Sequence, residues 1–215
     1  MPQTLTFYTH PMSRGRIIRW MLEEVGHPYE TVLLDFGTTM KAPEYLAVNP
    51  MGKVPAIRHG ETVVTEAAAS CAYLADAFPD RGLAPPSGNP LRGPYYRWMF
   101  FAAGPVEAVI TGKALGLLAP PDKKVMAGYG SFEETIDALE RCMSSGPYIC
   151  GDQFTAADVY VGSQIGWGMM FGTIDKRPAF VDYFERLQER PAAKRARELD
   201  DALMSEQSIP QPQQS

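Results

Sequence analysis

The clearest indication of the fold lies in residues 49–70, NPMGKVPAIRHGETVVTEAAAS. The stretch PAIRHGETVV predicts a β-hairpin with its tight turn around His59-Gly60-Glu61, and the alanine-rich run Glu66–Phe78 predicts a helix directly after it. Pro55 opens the first strand of this hairpin, although proline has no N–H and is normally excluded from the interior of a sheet. We therefore expect that something other than the next strand needs the backbone of Val54.

The first eighty residues alternate strand and helix patterns. Apolar and polar residues alternate over Leu5–Thr9, as in a strand, and an apolar stripe of helical period then runs over 17–25 until Gly26 ends it. Thr31–Leu34 predicts a second strand, and APEYLAVNP, residues 42–50, predicts a short helix. With the hairpin and the helix after it, the order is β-α-β-α-β-β-α, which predicts an α/β domain with a four-stranded mixed sheet.

The second half of the chain has a different composition. Residues 79–94 contain five prolines, which is typical of a linker, and no convincing strand pattern follows them. We predict a first domain over 1–80, a linker over 81–94, an all-α domain over 95–204 and a polar, proline-rich disordered tail over 205–215. The predicted helices lie at 95–118 (kinked near Gly104-Pro105), 131–143, 156–170, 179–189 and 192–204.

Composition and charge exclude several classes of protein. Of the 215 residues, 45% are hydrophobic and 21% charged, as expected for a globular protein with a sizeable core, and the net charge of −5 argues against nucleic-acid binding. No apolar run has the length of a membrane span, and the first residues lack a signal-peptide pattern. The three cysteines form no C-x-x-C pair, which favours reduced thiols in a cytoplasmic protein, and the three histidines lack metal-ligand spacing.

Three motifs resemble the glutathione transferases. NPMGKVPAI (49–57) is similar to the family's N-P-x-G-x-V-P-x-L/I segment, TEAAASCAYLADAFP (65–79) to its E-S-x-A-I-x-x-Y-L helix, and FTAADVY (154–160) to its F-[ST]-x-A-D-x-x element. SRGRIIRWMLEE (13–24) also resembles the serine-type transferases of bacteria and fungi. The resemblance extends over about residues 5–204. It implies a thioredoxin-like first domain, an all-α second domain and glutathione as co-substrate, with no metal.

The resemblance gives Pro55 a purpose. In this family the proline is cis, an arrangement expected here to turn the N–H and C=O of Val54 out of the sheet, where they pair with the cysteinyl backbone of glutathione like an added strand. The simpler alternative is that Pro55 only protects the end of a strand.

The charged ends of glutathione need their own partners. Glu66 is expected to hold the γ-glutamyl ammonium, and the N–H groups of the helix that starts beside it are expected to hold the neighbouring carboxylate. Ala67 departs from the family, which usually has serine there. Lys53 is a candidate for the glycyl carboxylate and Lys41 a weaker one, although either lysine can also be an ordinary surface charge.

The thiol of glutathione must ionise to react, and a hydroxyl donor with a helix N-terminus can stabilise the thiolate. The resemblance points to Ser13, with Tyr8 as its rival and Thr9 as a third candidate; Ser13 also fits a structural role as the cap of the first helix. No cysteine lies in this loop, which argues against a mixed-disulfide mechanism.

The helical half is expected to supply the pocket for an apolar electrophile. Tyr95, Trp98 and Met99 are the candidates, although aromatic residues at helical spacing are more often core than pocket. Thr155 and Asp158 fit a capping box with a structural role. The resemblance implies a cytoplasmic, homodimeric detoxification enzyme; a glutathione-dependent peroxidase or isomerase, or a non-catalytic scaffold protein, are the alternatives.

Overall fold

The structure, a computed structural model, describes residues 4–207 and contains one four-stranded sheet within them. The strands lie in the order β2-β1-β3-β4; β1 pairs with β2 in parallel, whereas β1 with β3 and β3 with β4 are antiparallel. The predicted mixed sheet is confirmed. The strand bounds are β1 Leu5–Thr9, β2 Glu30–Leu33, β3 Ala56–His59 and β4 Thr62–Thr65.

The helices of the first half follow their sequence signals closely. Helix α1 buries its apolar stripe and ends where Gly26, at φ 62°, donates its N–H to the Leu22 carbonyl. Helix α2 starts at Pro43, whose fixed φ suits the first helical position. The bounds are α1 Gly15–Val25, α2 Pro43–Leu46 and α3 Ala67–Ala77.

Among the described residues, the second half of the chain contains helices and two isolated β-bridges but no strand, as predicted. The predicted kink near Gly104-Pro105 lies in a π-helical turn, Ala102–Val106, between α4 and α5. Pro105 has no N–H to donate to a regular helix, which explains a local change in hydrogen bonding. The bounds are α4 Arg92–Phe101, α5 Glu107–Leu115, α6 Phe132–Met143, α7 Ala156–Met170, α8 Pro178–Gln188 and α9 Pro191–Gln207.

The segment predicted as a linker, residues 81–94, contains a helix start and makes hydrogen bonds to distant residues. Helix α4 begins at Arg92, inside the predicted linker, and Leu83 is buried. The Leu83 carbonyl accepts a hydrogen bond from the Ala156 N–H at 2.7 Å, and the Gly82 carbonyl accepts one from Gln153 Nε2 at 2.8 Å. The segment is therefore fixed against the start of α7.

Contacts divide the chain into two compact units. One contains the described parts of Met1–Leu74 and Arg190–Ser215, and the other is Ala75–Glu189. Helix α9 thus groups with the sheet, because it packs along α1, whereas the sequence placed it in the helical domain. The predicted tail started too early: residues 205–207 continue α9, and residues 208–215 lie outside the described residues.

Candidate functional site

The sheet register brings the predicted site segments to one edge. Tyr8 lies opposite Ala56, and Ala56 lies opposite Thr65, so the three residues form one rung across β1, β3 and β4. The loop with Ser13 follows the end of β1, Val54 precedes the start of β3, and Glu66 follows the end of β4. All three segments therefore leave the sheet from the same edge.

Ser13 lies in the turn that leads into α1. Its hydroxyl donates to the His10 carbonyl at 2.6 Å and accepts from the Gly15 N–H at 2.9 Å, so it satisfies one free donor of the helix start. Arg16 Nε donates to the Pro11 carbonyl at 2.6 Å and fixes the same turn from the helix side. Ser13 is half-buried, and its hydroxyl lies at the positive end of α1.

The rival hydroxyls have different surroundings. Tyr8 is half-buried, and its ring lies 5.6 Å from that of Tyr45, against an apolar cluster that includes Val48 and Ala56. Thr9 is fully buried, and its Oγ1 has no hydrogen-bond partner among the described residues. The structure therefore brings all three candidates to the end of β1, with Ser13 the one at the start of a helix.

The segment before β3 is held by two side chains that the sequence analysis did not single out. The Lys53 carbonyl accepts hydrogen bonds from Tyr45 Oη at 2.6 Å and from Asn49 Nδ2 at 2.7 Å. Burial raises the pKa of Tyr45 to about 12, so the phenol remains a donor at neutral pH. Asn49 belongs to the NPMG turn, where asparagine commonly bonds to nearby backbone, and that signal could have identified it.

Val54 follows this fixed carbonyl, and its peptide bond to Pro55 is cis. Among the described residues, no group hydrogen-bonds to the N–H or the C=O of Val54. Val54 is half-buried, and it lies just before the start of β3.

Gly52 permits the tight turn before Val54. It has φ 56°, and a Cβ there would lie 2.6 Å from the Met40 carbonyl oxygen and 2.9 Å from Lys41 Nζ. Lys41 Nζ donates to the Met51 carbonyl at 2.9 Å, so this lysine braces the turn. Lys53 is exposed.

Glu66 has an unusual backbone conformation. Its φ of 65° makes it the one residue other than glycine with positive φ among the described residues, and its side chain is exposed. Such outliers concentrate at ligand sites. Helix α3 begins at the next residue, Ala67, while Ser70 is fully buried with its hydroxyl 3.5 Å from the Val64 carbonyl, so it does not replace the missing serine.

The predicted pocket residues lie in the interior of the helical unit. Tyr95, Trp98 and Met99 are 0%, 7% and 3% exposed, whereas Tyr96 and Phe100 on the same helix are 42% and 71% exposed. Their role toward a second substrate stays a prediction.

The cysteines are buried, and none pairs with another. Burial raises the pKa of Cys142 to about 12 and that of Cys150 to about 11, and it raises the pKa of Cys71 still further. These thiols are therefore protonated at neutral pH. Within residues 4–207 no three His, Cys, Asp or Glu side chains gather where they could hold a metal ion, and no helix there has the length and apolarity of a membrane span.

The predicted capping box at the start of α7 is confirmed. Asp158 Oδ2 accepts hydrogen bonds from the Thr155 N–H at 2.8 Å and hydroxyl at 3.0 Å, and Oδ1 accepts from the Ile149 N–H at 2.8 Å and Tyr183 Oη at 2.9 Å. These four bonds hold the pKa of the carboxyl down, but burial is the larger effect and raises it to about 6.

Comparison with known proteins gives matches to one family in both halves of the chain. Residues 3–76 match the family described as "Glutathione S-transferase, N-terminal domain" and residues 125–186 match "Glutathione S-transferase, C-terminal domain". A glutathione transferase from Methylococcus capsulatus strain Bath is 31% identical in a structural match that covers 93% of this chain and 100% of the other, with a TM-score of 0.77. The chain belongs to the glutathione S-transferase family.

Further members of the glutathione S-transferase family are similar over most of their length. Glutathione S-transferase GstA of Escherichia coli O157:H7 is 28% identical over 86% of this chain and 90% of its own. The structure of a sphingomonad glutathione S-transferase, complexed with glutathione, is 28% identical, covers 91% of this chain and 98% of its own, and has a TM-score of 0.71.

Proposed function

We propose that this glutathione S-transferase binds glutathione at the edge of its sheet, ionises the thiol beside Ser13 and joins the sulfur to an apolar electrophile. The proposal rests on the Tyr8–Ala56–Thr65 rung of the sheet. Beside this rung, one edge of the sheet has the Ser13 hydroxyl, the N–H and C=O of Val54 and the start of α3. Glutathione requires each of these: its peptide backbone, its two carboxylates and its thiol need separate partners.

The binding groups follow the shape of the tripeptide. The N–H and C=O of Val54 pair with the cysteinyl backbone as an added strand, from a segment fixed by Tyr45 and Asn49. The Glu66 carboxylate holds the γ-glutamyl ammonium, and the first N–H groups of α3 hold the carboxylate next to it. Lys53, which is exposed, takes the glycyl carboxylate more readily than Lys41, which is engaged with Met51.

Ser13 lowers the pKa of the bound thiol. A free thiol has a pKa of about 8.5, and a shift of about two pH units needs roughly 3 kcal/mol of preferential stabilisation of the anion. A hydrogen bond to a charged partner contributes about 1.5–3 kcal/mol, and the positive end of α1 adds to it. To donate to sulfur, the Ser13 hydroxyl must leave the His10 carbonyl, while its oxygen keeps the Gly15 N–H.

The chemical step is a nucleophilic attack by the thiolate. The sulfur lone pair forms a C–S bond to the electrophilic carbon; an aryl halide releases halide with its bonding electrons, whereas an epoxide opens and its oxygen takes a proton from water. We propose that the helical unit supplies the pocket for the electrophile and that Tyr95, Trp98 and Met99 shape it.

A direct test combines binding with turnover. Titration calorimetry should detect glutathione binding, and the purified protein should conjugate glutathione to at least one aryl halide or epoxide of a panel that also contains organic peroxides, which glutathione reduces rather than conjugates. Binding without any turnover would favour a scaffold protein, and turnover of peroxides alone would favour a peroxidase. We also propose a homodimer; a monomeric mass in light scattering at micromolar concentration would refute that part.

A further inference from the structure

The hydroxyl of Thr9 has no partner although it is buried. Thr9 is the last residue of β1, its side chain is fully buried, and no described residue hydrogen-bonds to its Oγ1. Buried hydroxyls almost always have a hydrogen-bond partner, because an unpaired one has lost its water without compensation. An exception at the end of β1, next to the proposed thiolate donor, requires an explanation.

The hydroxyl oxygens of Thr9 and Ser13 both lie near the space that a side chain on Gly15 would occupy. If Gly15 carried a Cβ, that atom would lie 1.9 Å from Thr9 Oγ1 and 2.9 Å from Ser13 Oγ. The missing side chain of Gly15 therefore leaves room for two hydroxyls at the start of α1. No hydrogen bond joins them in this state, in which the Ser13 hydroxyl donates to the His10 carbonyl.

We infer that Thr9 is a positioning residue for Ser13, an inference that rests on the proposed role of Ser13 as thiolate donor. When the Ser13 hydroxyl turns from the His10 carbonyl to sulfur, its oxygen keeps the Gly15 N–H and has a second lone pair available. The Thr9 hydroxyl donates to that lone pair. Accepting this bond polarises the Ser13 hydroxyl and makes it a stronger donor to the thiolate.

A positioning role for Thr9 predicts different effects of substitution from those of a packing role. A packing role would affect folding and binding, whereas a role through Ser13 affects the ionisation of bound glutathione. Thr9→Val keeps the shape and removes the hydroxyl, and Thr9→Ser keeps the hydroxyl and removes the methyl group. Since the lost hydroxyl had no partner in the free protein, Thr9→Val should unfold no more easily than wild type.

The experiment is a double-mutant cycle on the thiol pKa of bound glutathione, followed by the ultraviolet absorbance of the thiolate. Thr9→Val should raise this pKa by about 0.5–1 and lower kcat/KM below that pKa about three- to tenfold, with glutathione Kd changed less than about twofold. Thr9→Ser should keep the wild-type pKa. In a Ser13→Ala background, Thr9→Val should have no further effect.

The other outcomes separate the two proposals. If Ser13→Ala leaves the thiol pKa unchanged, the proposed role of Ser13 fails and this inference fails with it. If Ser13→Ala raises the pKa and Thr9→Val does not, only the role of Thr9 is overturned. An equal effect of Thr9→Val in both backgrounds would mean that Thr9 contacts sulfur itself, which also overturns the inference. Should Thr9→Val not fold, Thr9→Ala supplies the same comparison.

Discussion

Arg19 and Asp200, which are 181 positions apart, form a buried ion pair between α1 and α9 with Arg19 Nε 3.1 Å from Asp200 Oδ1. Their side chains are only 4% and 1% exposed. Arg19 also donates to Tyr29 Oη at 3.1 Å and to Thr31 Oγ1 at 2.9 Å, so the guanidinium has several partners besides the carboxylate. Burial raises the pKa of Asp200, and the charge of Arg19 opposes that effect.

Removing one partner of this pair should destabilise the fold. Asp200→Ala leaves the Arg19 charge buried without its carboxylate, and we expect a loss of about 3–5 kcal/mol in the free energy of unfolding. Asp201→Ala is the matched control, since Asp201 pairs with Arg16 at 2.8 Å but its side chain is 58% exposed, and it should cost less than about 1 kcal/mol. Urea unfolding of both variants measures the difference. Equal losses of unfolding free energy in Asp200→Ala and Asp201→Ala would mean that burial does not determine how much each ion pair contributes to stability.

The buried carboxyl of Asp158 should give stability a specific pH dependence. Its pKa rises from 3.8 to about 6 in the folded chain, so the folded state binds more protons than the unfolded state between about pH 4 and 6. The contribution of Asp158 is therefore fully present below about pH 4 and is lost as the pH rises through 6. A gap of about two pH units corresponds to about 3 kcal/mol.

Unfolding of wild type and Asp158→Asn at several pH values isolates this effect, because all other groups are shared. The substitution should cost most near pH 4 and about 3 kcal/mol less at pH 7. A cost that grows with pH would show that the four hydrogen bonds outweigh burial and lower the pKa of the carboxyl.

Gly15 should not tolerate a side chain. The Cβ of Gly15→Ala would lie 1.9 Å from Thr9 Oγ1, which no real contact allows, so the buried Thr9 side chain or the start of α1 must shift. We expect a loss of about 1–3 kcal/mol in stability and a raised thiol pKa for bound glutathione. Gly93→Ala is the control, because a Cβ there meets nothing within 4 Å, and it should be neutral or stabilising by about 0.5–1 kcal/mol. Similar behaviour of both variants in thermal unfolding would contradict the close contact.

Ala67→Ser should tighten glutathione binding. A serine at the first position of α3 adds a hydroxyl to the N–H groups proposed to hold the γ-glutamyl carboxylate, and Ser70 faces Val64 instead. One hydrogen bond to a charged group is worth about 1–2 kcal/mol, so Kd should fall several-fold. The thiol pKa should stay the same. Unchanged affinity in calorimetry would mean that another group already occupies this place.

Local signals determined what the sequence could predict. Gly26 ended α1 in the left-handed conformation, Pro43 opened α2, and the Gly60 turn closed the β3–β4 hairpin, because each depends only on nearby residues. The positions of Ser13 and Glu66 beside helix starts followed from local patterns as well, whereas their roles came from the family resemblance and stay predictions.

The remainder depends on contacts between distant segments. No local pattern marks Arg19 as the partner of Asp200, so nothing in the sequence indicated that α9 groups with the sheet, as its contacts do. Likewise, the two hydrogen bonds to the Lys53 carbonyl depend on where α2 packs, and the unpaired state of Thr9 depends on how closely Gly15 approaches it. The sequence could not distinguish a core position for Tyr95 from a position that lines a pocket, because core and pocket residues recur at the same helical spacing.

The role of Ser13 is tested most directly by the pKa of the glutathione thiol bound to Ser13→Ala and to Tyr8→Phe, read from thiolate absorbance as the pH is varied. With Ser13 as the donor, Ser13→Ala should raise this pKa by about one to two pH units and lower kcat/KM ten- to hundredfold, with little change in glutathione affinity, because a hydrogen bond to a charged partner is worth about 1.5–3 kcal/mol. Tyr8→Phe should leave the pKa near the wild-type value. A raised thiol pKa in Tyr8→Phe with no change in Ser13→Ala would show that Tyr8, and not Ser13, donates to the thiolate.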